Sequence, residues 1–286
     1  MNKTRDTLSQ IPIASELDIK AMAALMHGRH YCALVGAGVS TASGIPDYRG
    51  PTAPKPRPEP MRFASFRDSE KARKRYWARA LLGFQTIKNA KANDAHKALS
   101  ALEKSKALLG LITQNVDGLH QKAASKRVVE LHGSLHRVRC LSCDDVIERD
   151  EMDARLRAAN PKHLSPEIAI APDGDAHIAQ SLEESFMVVD CERCGGILKP
   201  DVVYFGENVR KPVLQNAYDL FDESEGLLIV GSSLEVYSGR RFLHRAKKQN
   251  KPVIIAGFGR VRESEKADLV VSGLLEDALS RLVLVV

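Results

Sequence analysis

Long apolar segments are missing from this chain, and so are internal repeats. Hydrophobic residues make up 44% of its 286 residues, but nowhere do about 18 of them follow one another, the minimum for a helix that crosses a bilayer. The first ten residues are polar and leave no room for a signal peptide. We therefore expect a cytoplasmic protein that has no membrane as partner.

A strong excess of one charge is also absent. The chain has 42 Lys and Arg residues against 36 Asp and Glu residues, a net charge of +6, and this modest excess does not predict nucleic-acid binding as the main activity. The composition is that of a folded globular protein rather than a disordered one. Because the length exceeds one average domain of about 100 to 200 residues, we expect one large domain with a smaller appendage.

Cysteine is scarce, and four of the five cysteines form two CxxC pairs. The pairs, separated by 47 residues, are Cys140 with Cys143 and Cys191 with Cys194. Four thiolates suit tetrahedral Zn²⁺ and leave no open position, so the sequence predicts one structural zinc. Redox dithiols or a chance spacing are the alternatives. The pairs suit a reducing compartment, where such pairs bind metal more often than they form disulfides. Cys32 stands alone in an apolar run and is predicted to be a packed core thiol.

Short apolar runs alternate with stretches that are long enough for helices. The predicted strands cover residues 31–35, 107–113, 128–131, 227–230, 253–256 and 269–271. Helices are predicted around residues 94–104, 212–223 and 239–249. This alternation is typical of an α/β fold, and we predict a Rossmann-like, doubly wound parallel sheet.

Two regions interrupt the alternation. Residues 50–60 contain five prolines and are predicted to form a loop over a cofactor. The region 138–198, which the cysteine pairs flank, is predicted to be a small inserted zinc-binding domain. The large cofactor-binding domain would then comprise residues 1–137 and 199–286, including the loop and a helical segment at 50–93.

The first predicted strand runs into Gly36 and Gly38, where free backbone N–H groups suit a dinucleotide phosphate. The third glycine of the dehydrogenase fingerprint is replaced by Thr41, and a proline-rich loop stands where a second strand ending in an acid is expected. Binding of NAD for hydride transfer is therefore disfavoured. Taken alone, the glycines are equally consistent with a simple strand-to-helix turn.

The whole stretch GAGVSTASGIPDYR at 36–49 resembles the signature of the sirtuins. Further family motifs follow in order, namely TQNVDGLH at 113–120, LHGS at 131–134, the cysteine pairs, KPDVVYFGE at 199–207 and GSS at 231–233. The chain looks closest to class II, the group that includes a mitochondrial lipoamidase and ADP-ribosyltransferase. The resemblance to class II rests on YWAR at 76–79, APDGD at 171–175 and the long gap between the cysteine pairs.

The resemblance implies an NAD-dependent protein-lysine deacylase with NAD as co-substrate, one structural Zn²⁺ and acyl-lysine proteins or peptides as partners. In sirtuins the acyl-lysine oxygen attacks the nicotinamide ribose, nicotinamide leaves, and a histidine deprotonates the ribose hydroxyl that takes over the acyl group. A protein ADP-ribosyltransferase on the same scaffold and a non-catalytic NAD-sensing module are the alternatives.

By resemblance His132 is the catalytic base. Imidazole has an unperturbed pKa of about 6.5 and exchanges protons near neutral pH, which agrees with this role. His120 and His136 lie nearby but do not occupy the His-Gly-Ser position, and a histidine packed at a strand end is the alternative reading. Asn115 is implied as a second catalytic residue.

The resemblance also implies the contacts with NAD. Asn115 and Asp117 are expected to hold the nicotinamide ribose and the carboxamide, and Gln114 the other ribose. Arg49 is a natural partner for pyrophosphate. The remaining expected contacts are Gly36, Ala37, Gly38, Asp47, Tyr48, Val116, Gly231, Ser232, Ser233, Gly257, Phe258 and Gly259. The last three stand where many sirtuins have an asparagine before a glycine, so the adenosine contact departs from the family pattern.

Two groups of residues are expected to contact the substrate. An extended peptide is expected to pair with the segment formed by Val202, Val203, Tyr204 and Phe205, because edge addition gives affinity without sequence demands. Tyr76 and Arg79 match the YxxR spacing of sirtuins that remove acidic acyl groups, and positions three apart share a helix face. In the alternative reading Arg79 belongs to a solvated basic face, while Tyr76 packs beneath it.

Overall fold

The computed structural model describes residues 6–53, 59–161 and 180–286. The strands of these residues are β1 Tyr31–Val35, β2 Leu108–Thr113, β3 Val128–Glu130, β4 Gly133–Cys140, β5 Val146–Glu148, β6 Leu198–Val202, β7 Gly226–Val230, β8 Val253–Gly257 and β9 Leu269–Ser272. The larger sheet has the order β3-β2-β1-β7-β8-β9, and every neighbouring pair is parallel. The predicted doubly wound parallel sheet is confirmed.

Helices connect these strands. They are α1 Glu16–Met26, α2 Phe63–Asp68, α3 Glu70–Asn89, α4 Asp94–Lys104, α5 Leu119–Lys122, α6 Arg149–Ala159, α7 Gln180–Ser185, α8 Lys211–Glu223, α9 Tyr237–Lys248 and α10 Leu275–Val283, with 3-10 turns at Ala37–Ser43 and Ser264–Lys266. None of them, within the part of the chain that the structure describes, is both long and apolar enough to cross a membrane.

Strand β1 lies at the centre of the larger sheet, and both of its faces are buried. Tyr31, Ala33 and Val35 pack into one hydrophobic cluster, whereas Cys32 and Leu34 pack into the cluster on the opposite face. Burial on both faces explains why this strand is a continuous apolar run rather than an alternating one. It also raises the pKa of the Cys32 thiol, which agrees with a packed core residue.

The order of the strands reverses at β1, which has β2 on one side and β7 on the other. In sheets of this kind, ligands bind in the crevice beyond the carboxyl ends of the strands at such a reversal point. The turn Ala37–Ser43 leaves β1 at this point. The topology therefore places the candidate cofactor residues of three separate sequence motifs at one edge of the sheet.

A second, antiparallel sheet has the order β5-β4-β6. It begins at Gly133 and ends at Val202, so it extends beyond the predicted domain limits of 138–198 on both sides. Helix α3 packs on it, and Nε1 of Trp77 donates to the carbonyl of Leu198 at 3.3 Å. Part of the segment 50–93, which was assigned to the large domain, therefore shares its core with the small one. The residues of the APDGD motif lie outside the described residues.

Candidate active site

A cavity of about 920 Å³ opens at the carboxyl ends of the central strands. One wall is formed by the turns that follow β1, β2, β7 and β8, and the other by the chain that follows β6. The volume lies at the upper end of the range of about 300 to 1,000 Å³ typical of small-molecule sites. A dinucleotide together with a side chain of a peptide substrate fits a cavity of this size.

Two glycines of the signature bring two turns into contact. The amide of Gly36 donates to Val230 and that of Gly38 to Gly231, both at 2.9 Å. A Cβ atom on Gly36 would lie 2.7 Å from Cα of Ser232, and one on Gly38 would lie 2.9 Å from the carbonyl oxygen of Gly231. The glycines are therefore required by the packing of these two turns, in addition to any approach of a phosphate.

Asn115 and Asp117 meet at the hydroxyl of Ser40. Nδ2 of Asn115 donates to Oγ of Ser40 at 3.1 Å and to the carbonyl of Gly36 at 3.1 Å. Ser40 in turn donates to Oδ2 of Asp117 at 2.7 Å, and Oδ1 of Asp117 accepts from the amide of Leu119 at 2.9 Å. The sequence analysis did not single out Ser40, although it lies inside the signature stretch and lines the cavity.

Two buried histidines stand behind this group. Nε2 of His96 lies 3.5 Å from Oγ of Ser40, and the rings of His96 and His120 are 4.9 Å apart. Burial lowers the pKa of His96 to about 4, and burial together with the neighbouring His96 lowers that of His120 to about 3. Both rings are neutral at pH 7. Among the histidines that the structure describes, His132 alone lines the cavity.

His132 is oriented by hydrogen bonds at both ring nitrogens. Nδ1 lies 3.0 Å from the carbonyl oxygen of Gln114, and Nε2 lies 2.7 Å from Oγ of Ser238 in α9. A carbonyl oxygen only accepts, so Nδ1 carries the proton, and Nε2 of the neutral ring is unprotonated and able to accept. Burial lowers the pKa of His132 to about 4, against the opposing effect of the Gln114 carbonyl. The ring is therefore neutral at pH 7. Ser238 belongs to no motif that the sequence analysis used.

The four paired cysteines form a second site, away from the cavity. Their sulfur atoms all lie within 4.8 Å of one another, with Cys140 and Cys194 at 3.5 Å and Cys143 and Cys191 at 3.8 Å. Such separations suit sulfurs about 2.3 Å from a shared Zn²⁺ and are too long for disulfides. A Cβ on Gly196 would lie 2.8 Å from Sγ of Cys140, so glycine is required for the tight turn. The residues present fit a four-coordinate zinc.

Comparisons with known proteins decide the family, since the sequence model of the Sir2 family matches residues 36–238. This chain belongs to the Sir2 family, the sirtuins. It is 45% identical over 273 residues to NAD-dependent protein deacetylase 1 of Mycobacterium avium (strain 104), with 91% of this chain and 95% of that protein covered. NAD-dependent protein deacetylase 1 of Streptomyces coelicolor is 44% identical over 264 residues, with 91% and 88% covered.

Solved sirtuin structures have the same fold. A chain described as "Structural Basis for the Mechanism and Regulation of Sir2 Enzymes" has a TM-score of 0.74 and 27% identity, and the match covers 95% of this chain and 98% of that one. A chain described as "Sir2-p53 peptide-NAD+" has a TM-score of 0.71 and 25% identity, with 92% and 96% covered.

The sirtuin loop after Ile45 forms a tight turn at the mouth of the cavity. Oδ1 of Asp47 accepts from the amide of Gly50 at 2.6 Å, and Oδ2 accepts from Oγ1 of Thr52 at 3.0 Å. Both carboxylate oxygens thus stabilise the loop. Tyr48 and Arg49 are exposed and line the cavity. Asp47 therefore stabilises the loop that carries Tyr48 and Arg49 at the mouth of the cavity.

The opposite end of the sirtuin cavity is formed by the turns after β7 and β8. All predicted residues of these turns line it, namely Gly231, Ser232, Ser233, Gly257, Phe258 and Gly259, as do Ala37 and Val116 at the other turns. Nε2 of Gln114 donates to Oγ of Ser232 at 2.7 Å. Glu276, at the start of α10, also lines this end, and burial raises the pKa of its carboxyl. Glu276 lies in none of the sequence motifs.

The segment expected to bind a peptide lines the cavity as well. Strand β6 ends at Val202, so the three residues that follow it are not part of the smaller sheet. The amide of Val203 donates to the carbonyl of His132 at 2.9 Å, and the amide of Tyr204 to Oε2 of Glu207 at 2.9 Å. These two N–H groups are thus already engaged, which narrows the backbone positions at which a peptide strand can pair.

The side chains of Tyr76 and Arg79 have different surroundings. Tyr76 lines the cavity and packs edge-on against Phe66 and Tyr204, at ring distances of 5.5 and 5.7 Å. Arg79 is not among the described residues that line the cavity, and its Nε donates to Oε1 of Glu183 at 2.6 Å. The contact of Arg79 with the acyl group stays a prediction, and in the structure its guanidinium is already paired with the carboxylate of Glu183.

Proposed function

We propose that this sirtuin is an NAD-dependent protein-lysine deacylase that transfers the acyl group from lysine to ADP-ribose with release of nicotinamide. The observation that carries the proposal is the neutral His132 at the cavity, with Nδ1 protonated toward Gln114 and Nε2 available to a proton. The names of the bacterial relatives support the activity. A non-catalytic NAD-sensing module has no need of such a base.

The residues around the cavity fit NAD. Asn115 and Asp117 are buried polar side chains beside the base, and one carboxylate oxygen of Glu276 is buried without a hydrogen-bond partner among the described residues. Bound NAD supplies the ribose carbon that nicotinamide leaves and the hydroxyl that takes over the acyl group. Arg49 at the mouth is suited to the pyrophosphate charge.

The chain's own residues then have distinct tasks. His132 accepts the proton of the ribose hydroxyl at Nε2 and later returns it. Asn115, fixed by its two hydrogen bonds, orients the nicotinamide end of the cofactor. The apolar wall of Val202 and Phe205 holds the lysine chain and excludes water from the reacting groups.

We further propose that the acyl group is neutral. Tyr76 and Met61 give this wall of the cavity an aromatic and apolar surface, while the guanidinium of Arg79 is neutralised by Glu183. An acidic acyl chain would have to compete with a carboxylate that is already bound. Acetyl groups and longer neutral chains such as lipoyl fit this reading, and the lipoyl case agrees with the class II resemblance of the YWAR segment.

We also propose that the two domains have separate roles, one in zinc binding and one in NAD binding. The four cysteines hold one structural zinc in a small domain, because a complete set of thiolate ligands leaves no position for substrate. The large domain, which contains the parallel sheet and has the sequence-based limits 1–137 and 199–286, holds NAD. Acyl-lysine proteins or peptides are the partners.

The proposal is tested by incubating the purified protein with NAD and acetylated, lipoylated or glutarylated lysine peptides. We expect free lysine peptide, nicotinamide and acyl-ADP-ribose in equal amounts, measured by mass spectrometry. His132→Ala is expected to abolish acyl transfer while folding and NAD binding persist, and His27→Ala, which alters an exposed histidine of the same chain, serves as control.

Three outcomes contradict this reading. Protein that becomes labelled with ADP-ribose in place of peptide turnover indicates the ADP-ribosyltransferase alternative. NAD binding with no product of either kind indicates the sensing module. Near-normal turnover in His132→Ala removes His132 from its role.

A further inference from the structure

The hydrogen bond between His132 and Ser238 has a defined direction. Since Nδ1 of the neutral ring carries the proton, Nε2 has none and must accept. The hydroxyl of Ser238 therefore donates to it, across the 2.7 Å that separate the two atoms. The serine thus occupies the electron pair that the base uses in the reaction.

Both ends of the imidazole are connected to the same turn of α9. Ser238 is in the first turn of this helix, and the following Gly239 packs against Gln114 so closely that a Cβ would lie 2.5 Å from Oε1 of that residue. Gln114 supplies the carbonyl that holds Nδ1. The helix itself is anchored by buried Phe242 and other apolar residues of its inner face.

Ser238 also lines the cavity, as His132 does. We propose that Ser238 is a positioning residue for the base: its hydroxyl keeps Nε2 of His132 directed at the cavity and yields this nitrogen to the ribose hydroxyl when NAD binds. The inference rests on the proposed function. Helix α9 thereby takes part in the proton transfer through a residue that lies outside the recognised sequence motifs.

Loss of the hydroxyl has a specific expected effect. Without Ser238 the ring keeps only the hydrogen bond at Nδ1 and is free to turn about it. The step that needs the base then slows by roughly three- to tenfold, the range that one hydrogen bond of ordinary net strength supplies. Departure of nicotinamide precedes the use of the base and is expected to be unaffected.

The kinetic test compares two reactions of each variant with an acetylated peptide. Exchange of labelled nicotinamide into NAD reports the first step, and formation of acyl-ADP-ribose reports the step that uses the base. We expect Ser238→Ala to lower the second rate and not the first, and Ser238→Thr to restore it. Ser224→Ala, which removes a buried hydroxyl bonded to the backbone of Phe221 and Gly226, is expected to leave the ratio of the two rates unchanged.

A spectroscopic test needs no turnover. In protein without NAD whose histidines carry ¹⁵N, we expect the Nε2 resonance of His132 to move in Ser238→Ala toward that of an imidazole nitrogen without a donor. An unchanged resonance overturns the proposal, and so does an equal loss of both rates in the kinetic test. If the wild type is inactive but the resonance moves, the contact stands and the deacylase function falls.

Discussion

The hydroxyl of Ser40 joins Asn115 to Asp117, accepting from the amide of one and donating to the carboxylate of the other at 2.7 Å. All three side chains are buried, with at most 8% of any of them exposed. Two sequence motifs that lie about 75 residues apart therefore act as one polar unit. Its integrity depends on the hydroxyl of Ser40.

Ser40→Ala is expected to lower the free energy of unfolding by about 1 to 3 kcal/mol, because it leaves a buried amide and a buried carboxylate oxygen without this partner. It is also expected to weaken NAD binding, measured by calorimetric titration. Ser43→Ala is the matched control, since the Ser43 hydroxyl is buried without a partner among the described residues, and it should change stability by about 0.5 kcal/mol or less. Equal losses in denaturant unfolding of both variants would contradict the linking role of Ser40.

One zinc ion per chain is expected by elemental analysis. Removal of the metal by a chelator, or Cys191→Ser, is expected to unfold the small domain because its folding free energy comes partly from the metal. Cys32→Ala should retain the zinc, since this thiol lies in the core of the larger sheet. A metal-free protein that remains folded and active would show that the zinc assignment is wrong.

Stability is expected to fall in acid through the buried histidines. Burial lowers the pKa of His96 and His132 to about 4 and that of His120 to about 3, whereas unfolded histidine titrates near 6.5. The unfolded chain therefore binds more protons than the folded one between pH 6.5 and about 4, so the free energy of unfolding decreases as the pH falls through this window. Above pH 6.5 these rings do not make the free energy of unfolding depend on pH.

This pH dependence is isolated by comparing His120→Leu with the wild type in denaturant unfolding from about pH 4 to 7. Neither ring nitrogen of His120 has a hydrogen-bond partner within the described part of the chain, so an apolar residue is tolerated, and the slope should become shallower. Cysteine protonation affects both proteins alike and cancels. His27→Leu, at an exposed site, should keep the wild-type slope. If His120→Leu also keeps the wild-type slope, the His120 ring does not stay neutral in the folded protein.

Arg79→Met is expected to leave the ratio of glutaryl to acetyl turnover unchanged, because the guanidinium is bound to Glu183 rather than to the acyl group. The partly buried ion pair should contribute about 1 to 2 kcal/mol to stability. Lys74→Met breaks a more exposed pair with Glu70 on the same helix and should cost about 0.5 kcal/mol or less. A selective loss of glutaryl turnover in Arg79→Met would restore the arginine to the acyl pocket.

Much of the fold could be predicted from the sequence because its signals are local. The run from Tyr31 to Val35 is continuous in apolar residues and is followed by glycines, which is typical of a strand buried on both faces that ends at a tight turn. The position of His132 at the cavity followed from a family motif. Both signals depend on residues that are neighbours in the chain.

What could not be predicted depends on contacts between distant residues. Ser238 lies 106 residues from His132, and Glu183 lies 104 residues from Arg79. Periodicity places residues on a helix face but does not identify the side chain that meets them there. The extent of the second sheet depends on such contacts too, since strand pairing carries it from Gly133 as far as Val202.

Helix α3 contributes side chains both to the wall of the cavity and to the core around the four cysteines. Tyr76 lines the cavity, and both Tyr76 and its neighbour Trp77 pack in one cluster with Cys140 and Cys191. The cavity wall proposed to contact the acyl chain is thus continuous with the core around the predicted zinc site. Zinc held by the four cysteines would thereby support the side chains that line the proposed acyl site, so metal loss should change the range of accepted acyl groups as well as the stability of the small domain.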